Sequence, residues 1–185
     1  EVQLLLTDRP MNLADEAIDI AIRFGEPPDT RVIARKIANN RRRIFASPIY
    51  LKAHGTPETP HDLTRHNCLI LRQDDVAYGV WRFSKGRQSE SVKVRGAMSS
   101  NDGEVVLNWA LDGHGILMRA EWDAARYLRS GRLVVLLGDY DLPPADIYAV
   151  YSQKQNLAAK VRVFNEFLTE HFRNPARENT ATGSW

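Results

Sequence analysis

Arg23 closes the run Ile18-Asp19-Ile20-Ala21-Ile22 and is followed by Phe24 and Gly25. A guanidinium stays charged at any physiological pH and presents a planar fork of donors that fits a carboxylate or a phosphate. At the end of a short buried strand it occupies the place where open α/β sheets hold ligands, outside the strands' carboxyl ends. The alternative is a structural arginine pinning the loop from Glu26 to Asp29. A second cluster, Ser99-Ser100-Asn101, precedes the apolar stretch Glu104–Leu111. Three small hydrogen-bonding side chains ahead of a helix place its free N–H groups and positive dipole end before an anion. The plain alternative there is an N-cap. Thr7 follows Val2–Leu6 and, in a parallel sheet, would share a rim with Arg23; otherwise its hydroxyl simply bonds water or backbone.

Other reactive side chains carry less. His54, His61, His66 and Cys68 match no zinc-ligand spacing. Arg41-Arg42-Arg43 has no interleaved aromatic residue and reads better as a solvated strand face than as a nucleic-acid patch. No G-x-S-x-G elbow, P-loop, G-x-G-x-x-G or H-E-x-x-H pair occurs. Cys68, in an apolar run, reads as a small buried hydrophobe, and His114, between two glycines, as a turn residue. A hydrolase or transferase would have to use one of these two, and no cofactor or metal is called for.

The 185 residues suffice for one large or two small domains, with hydrophobic residues at 43% and charged residues at 26% as in ordinary globular proteins. Net charge is only +2, which gives no whole-surface reason to expect nucleic acid. A single cysteine excludes an intrachain disulfide and fits a reducing compartment. No apolar run is long enough to span a bilayer. The chain opens inside a strand-like run and without methionine, as a fragment of a longer protein would.

Period and punctuation predict alternating strands and helices: strands at 2–7, 19–23, within 32–46, and at 68–71, 80–83, 91–95, 116–118, 133–137 and 147–151. Helices are expected over roughly 10–17, from Pro48 to a stop at Gly55, near Pro60–Arg65, over 104–111 and 121–128, and over about 157–172. The last carries a stripe at Leu157, Val161, Phe164, Leu168 and Phe172. The pattern is α/β, with mixed and mostly parallel sheets flanked by helices. Residues 32–46 are too long for one strand, and 147–151 would be a last strand before a final helix. A chain that leaves one lobe near residue 46 and returns near 146 accounts for both. The expected lobes are 1–46 with 147–173, and 47–146, joined by two crossover strands; residues 174–185 are expected to be a disordered tail.

Several phrases then fall in a familiar order: Leu5-Leu6-Thr7-Asp8, Ile18 to Gly25, Ala46-Ser47-Pro48-Ile49-Tyr50-Leu51 and Gly55-Thr56-Pro57. His61-Asp62-Leu63, His66-Asn67-Cys68, Ser100-Asn101-Asp102 and Gly113-His114-Gly115-Ile116 to Met118 follow. Together, over residues 1 to about 172, they resemble the effector-binding (substrate-binding) domain of LysR-type transcriptional regulators. The resemblance implies two α/β subdomains of periplasmic-binding-protein-like layout with an inducer between them, and a winged helix-turn-helix on the N-terminal side. It implies that this chain lacks that DNA-binding part and the first strand and helix of the first subdomain. It places Thr7, Arg23 and Phe24 at ligand-facing strand ends, Ser99, Ser100 and Asn101 at a helix N-terminus across the cleft, and Leu71 and Arg72 at the second subdomain's rim.

The expected function is a non-enzymatic, cytoplasmic sensor domain that binds a small anionic inducer, a carboxylate by preference. Promoter DNA would be reached only through the missing helix-turn-helix, and the full-length protein would be a homodimer or tetramer. The alternative is a solute-binding protein of a transport system, which shares the two-lobed layout.

Overall fold

Every run expected as a strand between residues 68 and 151 forms one in the computed structural model, which describes residues 1–6, 18–25, 27, 31–72, 79–153, 156 and 158–173. The chain divides into two units, Glu1–Pro10 with Arg41–Pro143 and Met11–Asn40 with Pro144–Trp185.

In the unit built on Arg41–Pro143, the strands Arg42–Ala46 (β3), Cys68–Leu71 (β4), Ser99–Ser100 (β7), Ile116–Ala120 (β8) and Val134–Leu136 (β9) form one sheet, ordered β7-β4-β8-β3-β9. β4 is parallel to β7 and β8, whereas β3 is antiparallel to β8 and β9. Alternation along the strands separates two cores. Phe45, Leu69 and Leu117 pack with Val106, Leu107 and Ala110 of the helix Gly103–Leu111 (α2) and with Ala124 of the helix Glu121–Arg129 (α3). Ile44, Ala46, Cys68, Ile70 and Ile116 face the other way, toward Tyr50 of the helix Pro48–His54 (α1), Leu63 of the 3-10 turn Pro60–Arg65, and the hairpin Val80–Lys85 (β5) with Gln88–Lys93 (β6).

Local signals explain the ends of these elements. Ser47 caps α1 by accepting the Tyr50 N–H at 3.4 Å, Pro48 occupies its first turn, and Gly55 ends it at φ +81°. The Asp62 carboxylate accepts the Thr59 N–H at 2.8 Å and the Thr59 hydroxyl at 2.9 Å. With a further bond from Arg65, these donors hold it down at about 2.

Asn67, one residue before β4, joins the chains on both sides of that strand. Its Oδ1 accepts the Ala97 N–H at 2.9 Å, and its Nδ2 donates to the His114 carbonyl at 2.5 Å. Its backbone N–H donates to the Tyr50 hydroxyl at 2.9 Å, and its carbonyl accepts from Ile116 at 2.9 Å. Both flanking chains approach at a glycine. A Cβ at Gly96 would overlap the Cys68 carbonyl, and one at Gly115 would overlap the Asn67 carbonyl.

Of the three consecutive arginines, Arg41 is solvated as expected, whereas Arg42 and Arg43 act as clamps. Arg42 donates to the Pro143 carbonyl twice, from Nε at 3.0 Å and Nη2 at 2.7 Å. Arg41 pairs with Asp141 at 3.7 Å, and Arg43 Nη1 donates to the Gly138 carbonyl at 3.3 Å.

In the other unit, Ala21–Phe24 (β1), Ile147–Ser152 (β10) and Val32–Ala38 (β2) form a sheet in the order β1-β10-β2, with both ladders antiparallel. Ile37, Ile147 and Ala149 are its core, with Ile20, Ala38 and Leu168 packed on them; Leu168 belongs to the helix Ala159–Arg173 (α4). Val161 and Asn165 of α4 are buried, whereas Phe172 is 43% exposed. Lys36 pairs with Asp146 at 2.5 Å, and Asp146 Oδ1 accepts the Asn40 N–H at 3.0 Å.

The sequence expectations need several corrections. Only the five-stranded sheet is mixed, and among the described residues the antiparallel ladders outnumber the parallel ones, because β3 and β10 each run against both neighbours. The change of unit lies between Asn40 and Arg41 and between Pro143 and Pro144, not at 46 and 147, since β3 bonds to β8 and β9. Val2–Leu6 is not a strand, and Val2, Leu4, Leu5 and Leu6 are exposed. The helix expected over 10–17, Leu157 of the α4 stripe and the tail from 174 lie outside the described residues.

Two outcomes test these contacts. Asn67→Ala removes bonds on both sides of β4 and should lower the unfolding free energy by about 1–3 kcal/mol in urea titration. Asn67→Asp, which retains the acceptor and loses the donor, should fall between it and the wild type. The second test is pH. The Lys36 ammonium and the Asn40 N–H hold the Asp146 carboxyl below its ordinary 3.8, and the bond to Asp146 raises Lys36 above 10.5. Asp146 therefore adds stability above about pH 4 that is lost as pH falls through its depressed value, and Lys36 adds stability that is lost only as pH rises above about 10.5. Asp146→Asn should be less stable than wild type near pH 7, and the gap should narrow near pH 3.

Candidate functional site

One edge of the five-stranded sheet collects most of the residues singled out for ligand binding. Parallel pairing of β4 with β7 sets Ile70 opposite Ser99 and Leu71 opposite Ser100. The Arg72 N–H then donates to the Ser100 carbonyl at 2.8 Å. Leu71, Arg72, Ser99, Ser100 and Asn101 are thus neighbours at the carboxyl ends of two parallel strands, directly before α2. Leu71, Ser99 and Ser100 are half-buried, and Arg72 and Asn101 are exposed.

The helix end differs from the expectation in one respect. Asp102 is the cap, and its Oδ1 accepts the N–H groups of Glu104 at 2.8 Å and Val105 at 3.2 Å. Its own N–H donates to Ser100 Oγ at 3.0 Å. The amides expected to face an anion are therefore engaged by a carboxylate of the chain itself. Ser100 Oγ accepts that N–H and keeps its own proton for donation. The signal was present in the sequence, since the N-cap rule favours Asp immediately before the first helical residue.

Two further residues on this face escaped the sequence analysis. Leu69 lies opposite Leu117, so Leu71 and Arg119, each two residues on, share one face. Arg119 in turn lies opposite Arg43. Ser100, Leu71, Arg119 and Arg43 consequently form a row across β7, β4, β8 and β3. Arg119 and Arg43 are each only 17% exposed at the side chain. Arg119 Nη2 pairs with Asp123 Oδ2 at 2.5 Å, while Arg43 Nε lies 4.0 Å from Glu121 Oε2. No spacing in the sequence marks this row; it exists only once four strands are in register.

Arg23 and Phe24 belong to the other unit, on β1, opposite Tyr148 and Ile147 of β10. Arg23 is half-buried, Phe24 is 47% exposed, and the Gly25 N–H donates to the Asp146 carbonyl at 2.8 Å. The parallel arrangement invoked for Arg23 is not what its strand has with β10, which is antiparallel. Thr7 lies outside the described residues.

The histidines and the cysteine have local partners. His66 Nδ1 lies 3.2 Å from the Tyr50 hydroxyl, and His54 stacks on the Tyr50 ring with 4.4 Å between centroids. Burial pushes His66 below its ordinary value. Cys68 is fully buried, its thiol points at the Leu63 carbonyl at 3.6 Å, and burial pushes it up to about 12. A thiol so placed is protonated at neutral pH and a poor nucleophile. His114 is an exposed turn residue whose carbonyl serves Asn67. Among the described residues, no three His, Cys, Asp or Glu side chains gather as a metal site requires, and no helix is long and apolar enough to cross a membrane.

The model of the LysR substrate binding domain family matches residues 1–173. The chain belongs to that family. This LysR domain is similar to the HTH-type transcriptional activator TtdR of Escherichia coli (strain K12), at 40% identity over 168 residues, 91% of this chain and 54% of that protein. It is also similar to the HTH-type transcriptional regulator DmlR of Escherichia coli (strain K12), at 39% identity over 93% of this chain and 56% of that protein. The LysR domain thus spans about half the length of these relatives. Among solved structures it is similar to the full-length Vibrio cholerae virulence activator AphB, with a TM-score of 0.76 at 26% identity, covering 92% of this chain and 57% of that one. The CrgA regulatory domain from Neisseria meningitidis gives a TM-score of 0.72 at 28% identity, covering 88% of this chain and 79% of that one. The mixed α/β fold is therefore that of LysR-type regulatory domains, and the effector-binding domain is the part of a regulator that this chain represents.

Asp102→Ala tests the cap. The loss should be about 0.5–2 kcal/mol in chemical denaturation. Asp102→Asn, which can still cap, should recover most of it.

Proposed function

We propose that this LysR domain senses a small anionic metabolite, a carboxylate by preference, and that its candidate ligand residues are Arg23 and Phe24 in one unit and Leu71, Arg72, Ser99, Ser100 and Asn101 in the other. Thr7 belongs to the same proposed set. The convergence of Leu71, Arg72, Ser99, Ser100 and Asn101 at the ends of β4 and β7 is the observation that carries it. Membership of a substrate-binding family, and relatives named as HTH-type regulators, support a regulator over the solute-binding alternative.

Arg23 supplies the charge. A guanidinium–carboxylate bond contributes roughly 1.5–3 kcal/mol. Several such contacts, together with apolar packing on Phe24 and Leu71, are of the size needed for a micromolar ligand, near −8 kcal/mol. Ser100 offers a hydroxyl proton, whereas the Asp102 carboxylate repels an anion brought to the first turn of α2. The favoured position for the ligand's negative end is therefore away from Asp102.

The domain turns nothing over. Binding shifts a conformational equilibrium by the ligand's differential affinity for the two forms and by no more. In the longer cytoplasmic protein, a dimer or tetramer, that shift passes to a helix-turn-helix on promoter DNA.

Calorimetry of a carboxylate panel against the wild-type chain and Arg23→Ala tests the proposal. Arg23→Ala should weaken any carboxylate that binds by about tenfold or more, corresponding to the roughly 1.5–3 kcal/mol of the lost bond. Asp102→Asn should bind the same compound at least as tightly. Undiminished affinity in Arg23→Ala would remove that residue from the site, and binding only of uncharged compounds would remove the anion.

A further inference from the structure

We propose that Arg119 is the positioning residue of the ligand edge, acting through Gly103 and Asp123; this presupposes the effector-binding role proposed above. Arg119 touches no ligand in this proposal. It fixes the chain that does.

Three observations lead there. The first is cost: Arg119 and Arg43 are directly opposed on adjacent strands, and like charges in that position repel. Both side chains are mostly covered, and Arg119 Nε is buried with no hydrogen-bond partner. A leucine at 119 would continue the apolar face of Leu69 and Leu117 without these penalties. The second is the ion pair with Asp123, itself only 17% exposed, which ties the end of β8 to the first turn of α3.

The third is Gly103. A Cβ there would overlap Nη1, Cζ and Nη2 of Arg119, so the guanidinium lies directly against the first residue of α2. Glycine at this position makes room for the guanidinium. From Gly103 the contact runs to Asp102, which holds the amides of Glu104 and Val105 and donates to Ser100 Oγ. One side chain thereby couples β8 and α3 to the turn carrying Ser99, Ser100 and Asn101.

Amide hydrogen exchange on the labelled chain tests this, with wild type, Arg119→Met, Arg119→Lys, Gly103→Ala and the Arg119→Met/Gly103→Ala double variant. Arg119→Met and Gly103→Ala should each speed exchange at Glu104 and Val105 by about tenfold, the scale of local opening, while Leu69 and Leu117 keep their protection. Arg119→Lys should recover part of the loss. The double variant should be no worse than the worse single, because both changes break one contact. Unchanged exchange at Glu104 and Val105 would overturn the proposal. So would an equal rise across β4 and β8, the pattern of a merely structural residue.

Titration with sodium acetate, against sodium chloride as control, separates this proposal from the binding role. Saturable shifts at Arg72, Ser100 and Asn101 that are weakened in Arg119→Met support both. Saturable shifts that survive unchanged in Arg119→Met overturn the positioning role alone. No acetate-specific shift in the wild type overturns the role of this edge in carboxylate binding, and with it the ligand for which Arg119 would position it.

Discussion

The Asn67 side chain reaches two chains at once, accepting from Ala97 on one side and donating to His114 on the other. It thereby sets the register of β4 against both parallel neighbours one residue ahead of the first ladder pair, Cys68 with Ile116. A shift of one residue would turn Leu69 and Leu71 toward the hairpin and Cys68 and Ile70 toward α2, exchanging the two cores. It would also part Leu71 from Ser100 and leave the Arg72 N–H without its acceptor. Neither Gly96 nor Gly115 could carry a side chain in the present register, so the close approach and the amide bridge specify the same alignment. The proposed ligand edge and both hydrophobic cores depend on that alignment.

Much of this was legible in the residues themselves. Ser47-Pro48 and Gly55 bound α1 as capping chemistry requires, Cys68–Leu71 is a strand over the span its apolar run marks, and α2 and α3 begin within one residue of expectation. Directions and partners were not legible. Nothing in Ile147–Tyr151 tells that it runs against both of its neighbours, and nothing in Val2–Leu6 tells that its apolar side chains lie exposed. Composition misjudged Arg42 and Arg43 for a related reason. A basic run looks solvated in one dimension, yet carbonyls distant in sequence, at Pro143 and Gly138, are what Arg42 and Arg43 bind. Local periodicity specifies elements, while long-range hydrogen bonds decide what a polar side chain is for.

Candidate site residues divide along the same line. Leu71, Arg72 and Ser99 to Asn101 come together because β4 and β7 are parallel, which a short apolar run and a following helix already suggested. The anion-binding helix end was a misjudgement of detail, since Asp102 stands closer to the helix than the serines and takes the amides first. Arg119 and Gly103 were invisible because each matters only through the other, sixteen residues apart along the chain and in contact only after α2 folds back toward β8.

Electrostatics then constrain where a negatively charged ligand can lie on the larger unit. At the start of α2 the helix dipole, equivalent to roughly half a positive charge, meets the full negative charge of the Asp102 carboxylate, which outweighs it. Arg119 is offset by Asp123, at 2.5 Å. Arg43, 4.0 Å from Glu121, is less fully compensated. Arg72 is the exposed cationic residue of this edge, so the edge's proposed contribution to binding is coulombic as well as directional. It offers a hydroxyl proton at Ser100 and an apolar surface at Leu71, both held in place by neighbours whose charges are already satisfied. Under the proposed function, an edge built this way selects by the shape and hydrogen-bond pattern of the ligand as well as by its charge.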